Sequence, residues 1–523
     1  MLHHPPAGVN RLVERAADRH VHYGGSSTNA VVGLRTRRRE QQSGPQRARR
    51  RRPIRAPVGW TRSPHHLWRQ VRADGSRGVV RAPGRPRHHL RADRGRGSPG
   101  GWRCTVLKLN QTASMIDRRR FLSHLAELAR FGADELGGVS RTGFSEADHA
   151  ARRYLCERSR MLRLRATVDA AGNLFIGRRE ADRDRPVLLF GSHLDSVVHG
   201  GRLDGAYGVV AALETLARLD ERDGSFAYEP VAVAFANEEG AEFGYPFFGS
   251  KAMVGPIEHA ERLVDSAGLP LRDALRAAGG DIDALSSAVW PAGRLGGFLE
   301  LHIEQGPVLQ RAGVPLGLVE AITGRHIFEI TLTGEQNHAG TTPMDDRHDA
   351  LVAGARLTLA IEDIARVRRL CAVSTVGRFD VRPNVTNVIP GAVTLTVEIR
   401  DGSLDRLANA ERAVLAAVAA LGPGIDARVD VRMRAAPVRT DHRLSAAITD
   451  AAAEHGLPVL TMHSGAGHDA QIVAAAGPVG MIFVPSRDGI SHSPREHTEP
   501  EHLLAGADVL LTTVRRLLEG ADR

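Results

Sequence analysis

Residues 187–196 read VLLFGSHLDS, residues 200–219 read GGRLDGAYGVVAALETLARL, and residues 231–240 read VAVAFANEEG. An apolar run closed by a polar cluster, a helical pattern, and a second apolar run closed by acids make up the alternation of an α/β protein, a mostly parallel sheet with helices on its faces. In open sheets of this kind ligands bind beyond the carboxyl ends of the strands. GSHLDS and ANEEG therefore mark where chemistry is expected.

Outward from that core the texture changes between about 322 and 437. Phe328–Thr333 and Val393–Ile399 alternate apolar and polar residues strictly, as half-buried antiparallel strands do. Helical stretches run from about Asp346 to Leu370 and from about Asp405 to Leu421, the second stopped by Gly422-Pro423. The order predicts a small α+β domain inserted into the larger one, after which Pro458–Thr461 and Val479–Val484 resume the first pattern. The expected division is a leader (1–114), a catalytic domain in two parts (115–321 and 438–523) and the insertion (322–437).

The chain has 523 residues and a formal net charge of +10, but the charge is uneven. Residues 1–105 hold 24 of the 70 Lys and Arg and five acids (Glu14, Asp18, Glu40, Asp74, Asp93), which leaves the remainder at −9. The leader, with RTRRRE, RARRRRP and RGRGSPGG, has no apolar period and cannot build a core. Only Lys108 and Lys251 are lysines, an Arg bias that suggests GC-rich coding. The leader thus reads as upstream DNA ahead of a start at Met115, or as a disordered Arg-rich tail; a nucleic-acid-binding module is the rival of a different class, disfavoured by the acidic remainder. Phe121, Leu122, Leu125, Leu128 and Phe131 form the first amphipathic stripe. Arg118-Arg119-Arg120-Phe121-Leu122 resembles a twin-arginine export signal, yet a charged stretch follows where an apolar run is required, so an ordinary first helix is expected. No run has the roughly 18–20 apolar residues of a membrane span. Three cysteines, Cys104, Cys156 and Cys371, argue against a disulfide framework and for the cytoplasm.

Five residues at element ends have metal-ligand chemistry: His193, Asp204, Glu239, His302 and His492. Each alone has a plain reading, the histidines as satisfied buried rings and Asp204 as a helix N-cap. Asp195, two residues from His193, faces the same way on an extended chain and can orient its ring. Glu238 and Glu239 lie side by side after an apolar strand, so that one can bind metal while the other serves as general base.

The ordered motifs GSHLDS, GGRLDGAYG, NEEG, LHIEQGP, NHAGTTPM, NVTNVIPG, IRD, SGAGHDA and GISHSP resemble the hydantoinase/carbamoylase family of dinuclear metal amidohydrolases, over roughly residues 117–520. The resemblance implies a zinc-exopeptidase-like catalytic domain with an inserted lid and dimerisation domain, and two divalent ions (Zn, Mn or Co) per subunit. It implies that His193, Asp204 and His302 hold one ion and Asp204, Glu239 and His492 the other, with Glu238 as general base and Asp195 supporting His193. It further implies that His338 reaches an active site across a homodimer interface, and that Asn387, Arg400 and Gly467 hold substrate. The expected reaction is hydrolysis of a ureido C–N bond in allantoate or an N-carbamoyl-L-amino acid, with release of ammonia and carbon dioxide. An exopeptidase or aminoacylase would share metals and base; His302, where di-zinc exopeptidases commonly use a carboxylate, favours the ureido branch. One departure is Gly324-Arg325-His326, where many relatives have a Gly-Gln-Arg-Arg-like stretch, so no substrate contact is carried over to Arg325.

Overall fold

The computed structural model describes residues 32–33, 114–179, 185–220 and 226–520. Except for Val32–Gly33, a two-residue strand against Arg428 and Val429, and Ser114, the leader expected over 1–114 lies outside the described residues. No helix among the described residues is long and apolar enough to cross a membrane.

A nine-stranded sheet is built from strands within residues 165–322 and 438–484. Four neighbouring strands, Val479–Val484, Leu295–Ile303, Val187–His193 and Glu229–Phe235, run parallel. Val187–His193 is buried throughout, as a central strand covered on both faces should be, and this is why it is one apolar run. The sheet is less uniformly parallel than its sequence suggests. Leu174–Gly177 joins Glu229–Phe235 antiparallel, and Arg165–Val168 pairs antiparallel with Leu174–Gly177. A tight connection across Asp169–Asn173, held by the Asp169 carboxylate on the Ala171 and Asn173 N–H groups, reverses the chain without a crossover helix.

The helix Ala206–Asp220 is buried nearly all round its described turns and packs with Pro500–Glu519 against the sheet. Each fully buried Leu, Val or Phe here contributes about 1.5–3 kcal/mol. The helix expected around Phe121 spans Arg118–Leu128, and Asp117 caps it by accepting from the Arg119 and Arg120 N–H groups. Phe131 lies beyond its end.

Residues 324–435 form an antiparallel sheet in the order Asp426–Ala435, Gly324–Thr333, Ala392–Asp401, Val373–Arg382. The helices Ala350–Arg366 and Leu404–Ala419 cover one face. The order of elements, β-α-β-β-α-β, is that of a split βαβ fold. Phe328, Ile330, Leu332, Val393, Leu395, Val397 and Ile399 point into one core with both helices, as strict alternation requires. A two-stranded arm, Asn337–His338 paired with Val388–Ile389, stands beside it.

Candidate active site

The parallel strands converge on one edge, where their carboxyl ends deliver the polar groups. Val187–His193 ends on His193, Leu295–Ile303 carries His302, Glu229–Phe235 leads into Asn237-Glu238-Glu239, and the segment after Val479–Val484 brings His492. Asp204 precedes the helix Ala206–Asp220. Gly205 between them has φ +62°, and a Cβ there would lie 2.5 Å from the His193 ring, so glycine is required for the close approach. Asn237, Gln305 and His492 also hold left-handed backbone, φ 52°, 60° and 52°, a conformation that concentrates at functional sites.

Asp204 is the centre of the cluster. Its Oδ1 lies 3.4 Å from His193 Nε2 and 3.1 Å from His302 Nε2, and its Oδ2 lies 3.4 Å from His492 Nε2, which is 3.3 Å from Glu239 Oε1. The groups His193/Asp204/His302 and Asp204/Glu239/His492 each offer ligand atoms within 4.8 Å of one another. The outer nitrogens of two rings are engaged: His193 Nδ1 donates to the Asp195 carbonyl (3.0 Å) and His302 Nδ1 to the Ile303 carbonyl (2.9 Å). That leaves both Nε2 atoms turned inward, the arrangement of metal-binding imidazoles. Three imidazoles and one further carboxylate, Glu239, around the shared Asp204 carboxylate fit a pair of divalent cations.

Asp195 acts differently from the expectation. Its carboxylate is 3.9 Å from His193 Nδ1 and instead accepts the Glu238 and Glu239 N–H groups at 3.1 Å each. The His193 ring is oriented by the Asp195 backbone carbonyl, because the strand ends at His193 and the chain turns there. Asp195 thus fixes the turn that presents the paired glutamates. Burial, opposed by His193, raises its carboxyl to about 6.

Glu238 Oε2 lies 3.9 Å from His193 Nε2, beside the ligands. Burial pushes its carboxyl well above the usual range, opposed by His193 and reinforced by Glu239, which suits a group that must take up a proton near neutrality. Hydrogen bonds to Asp204 and Glu239 raise His492 to about 11. Burial works against the Asp204 carboxylate, yet the surrounding histidines hold it well below its ordinary value.

Several further residues contribute. Gln305 Nε2 and Ser491 Oγ donate to Asp204 Oδ2 at 2.8 and 2.9 Å. Glu496 accepts from Leu203 N and Asp204 N, and its Oε2 lies 2.8 Å from Ser491 Oγ, tying the Asp204 loop to the His492 loop; burial next to Asp204 lifts its carboxyl to about 7. Gln305 and Ser491 sit inside LHIEQGP and GISHSP, but nothing about Glu496 distinguishes it in the sequence. His468 stacks edge-on 4.7 Å from His302 and bonds Ser464 Oγ at 2.9 Å.

The residues expected to hold substrate fall in two places. Arg400 Nε bonds Glu398 at 2.6 Å and its Nη1 bonds the Gly465 carbonyl at 2.7 Å, next to the Gly467 loop. His338 and Asn387 lie together on the exposed two-stranded arm, where the Asn387 carbonyl accepts the Ala339 N–H. Among the described residues no hydrogen bond or ion pair joins either side chain to the ligand cluster.

Comparison with known proteins identifies the family. The model of peptidase family M20/M25/M40 matches residues 189–516. An N-carbamoyl-L-amino acid amidohydrolase of Geobacillus stearothermophilus is 39% identical over 415 residues, covering 78% of this chain and 100% of that protein. An allantoate amidohydrolase of Bacillus subtilis is 37% identical over 398 residues, covering 75% of this chain and 95% of that one. The crystal structure of a hydantoinase/carbamoylase family amidase from Burkholderia multivorans superposes with a TM-score of 0.71 at 34% identity, over 78% of this chain and 98% of its own. With strands that deliver two ligand sets around one aspartate and relatives matched along nearly their whole length, the chain belongs to peptidase family M20/M25/M40, in its hydantoinase/carbamoylase branch.

Proposed function

We propose that this chain is a metal-dependent amidohydrolase that cleaves the ureido C–N bond of a small carboxylate-bearing substrate, allantoate or an N-carbamoyl-L-amino acid, with release of ammonia and carbon dioxide. The observation that carries the reading is the pair of ligand groups sharing Asp204 with Glu238 beside them. His193, Asp204 and His302 would hold one divalent ion and Asp204, Glu239 and His492 the other, as zinc, manganese or cobalt. When bound, the ions supply Lewis-acid activation of water and of the substrate carbonyl. Glu238 takes the proton of the attacking water and returns it to the leaving nitrogen. Asp195 keeps Glu238 and Glu239 on their separate tasks by holding both backbone N–H groups. Arg400, Asn387 and Gly467 bind the substrate. The unbridged Cys156 and Cys371 support a cytoplasmic setting.

His338 fits the scheme as a donor to the developing oxyanion, a role worth about 3 kcal/mol in comparable sites. Its exposure on the arm supports service to a second copy of the chain, with residues 322–437 as the dimerising insertion and 115–321 with 438–523 as the catalytic domain. Mixing inactive Glu238→Gln subunits with inactive His338→Ala subunits should then restore activity, because one of the two sites in a mixed dimer combines an intact base with an intact donated histidine. Absence of rescue despite demonstrated subunit exchange would place His338 within its own chain's chemistry or outside the chemistry altogether.

The reading is tested by offering the metal-loaded protein allantoate, N-carbamoyl-L-amino acids, dipeptides and N-acyl amino acids while following both ammonia and newly freed amino acid. Ammonia from a ureido substrate is expected. Cleavage of the dipeptides or acyl amino acids with no ureido turnover would overturn it in favour of an exopeptidase or aminoacylase.

A further inference from the structure

Three cations gather beside the ligand cluster, and among the described residues one of them, Arg400, is paired with a carboxylate. Arg325 and Arg400 are directly opposed across the antiparallel strands Gly324–Thr333 and Ala392–Asp401. Side chains so opposed share one face with Cβ atoms about 4.5–5.5 Å apart, and like charges there repel. Arg400 is compensated by Glu398 at 2.6 Å and by the Gly465 carbonyl. Arg325 is half-buried, and its guanidinium makes no hydrogen bond or ion pair with any described residue.

Lys251, the lysine of the helix Phe248–Val254 that follows the glutamate turn, is the third. Its ammonium lies 4.4 Å from the centre of the Tyr245 ring and 5.8 Å from that of Phe247, and it too makes no hydrogen bond or ion pair with a described residue. The Phe247 ring closes against the substrate loop, since a Cβ on Gly467 would lie 2.9 Å from Phe247 Cζ, and the Phe247 N–H bonds the Glu238 carbonyl at 2.8 Å. Burial and the Arg325 cation depress the Lys251 ammonium; burial and the Arg400 cation depress the Arg325 guanidinium, against the pull of Glu398 and Glu238. Arg325 therefore stands within electrostatic reach of Arg400, Lys251 and the proposed base. Glu398 neutralises one cation of the three, and a half-buried cation without a counter-ion carries a desolvation cost that an anionic ligand removes.

We propose that Arg325 and Lys251 form an anion-recognising subsite that selects ureido substrates bearing a second carboxylate, the N-carbamoyl derivatives of acidic amino acids. This rests on the amidohydrolase reading and deepens it, with Arg400 left to the carboxylate common to all such substrates. Arg325 matters here because a guanidinium can hold a carboxylate through two parallel hydrogen bonds, which a neutral amide at the same position cannot.

The test compares N-carbamoyl-L-glutamate with N-carbamoyl-L-glutamine, which have nearly the same shape and differ in one charge. The ratio of their kcat/KM values is read on metal-loaded wild type, Arg325→Gln and Lys251→Met; a ratio is indifferent to the fraction of protein folded. The wild type should favour the glutamate by about tenfold or more, and each substitution should cut that preference severalfold. Calorimetric titration of both compounds into the Glu238→Gln protein reads the same preference as a ratio of Kd values. A wild-type ratio near one, or a ratio unmoved by both substitutions, overturns the subsite. Retention of the Kd preference with no turnover of either compound would keep the subsite and refute the proposed reaction.

Discussion

Glu238→Gln is expected to keep its full complement of metal and to lose turnover by about 10²–10⁴-fold, the usual contribution of a positioned general base. Glu239→Gln is expected to lose metal first. The two side chains are neighbours in the chain but face different partners: Glu239 Oε1 is 3.3 Å from His492 Nε2, whereas Glu238 Oε2 approaches His193 Nε2 only to 3.9 Å. Both backbone N–H groups rest on Asp195, so an amide at either position disturbs the turn equally little. Elemental analysis of the two purified proteins beside their kcat values separates the roles. Metal loss in Glu238→Gln with retention in Glu239→Gln would reverse the assignment.

Asp204→Asn should be the more damaging change, because one carboxylate serves both ligand groups. Its two oxygens face three imidazoles at 3.1 to 3.4 Å, while Gln305, Ser491 and, through the loop backbone, Glu496 hold it in place. An amide can offer one weak oxygen ligand and turns an N–H pair toward the opposite ring. Both ions should therefore be lost together, and activity with them, at metal concentrations that saturate the wild type. Competitive dialysis against a chelator reads this directly; one ion retained at wild-type affinity would show that Asp204 is not shared.

The sequence made much of this site legible, for reasons tied to particular residues. His193 ends and Glu239 follows buried strands whose apolar runs are unmistakable, because central parallel strands are covered on both faces. The alternation in Phe328–Thr333 and Val393–Ile399 marked the second sheet for the complementary reason, one face packed and the other open. Leu295–Ile303 escaped notice as a strand because Gly296, Gly297, Glu300 and His302 break its apolar run; Glu300 is buried only by virtue of the Ser192 hydroxyl and the Ala470 N–H. Asp195 supports the His193 ring through its backbone carbonyl rather than its carboxylate, since the spacing is informative about side chains only on extended chain, which ends at His193, two residues before Asp195. Glu496 and the pairing of Arg325 with Arg400 depend on contacts between distant segments, and no local pattern reports such contacts.

The measurement closest to the central claim is an anomalous difference map from crystals of the reconstituted protein, recorded on both sides of the absorption edge of the added metal. Two peaks are expected flanking the Asp204 carboxylate, one among His193 and His302 and one between Glu239 and His492, with Glu238 beside them and ligating neither. A single peak, peaks away from Asp204, or Glu238 in place of Glu239 at the second ion would contradict the account.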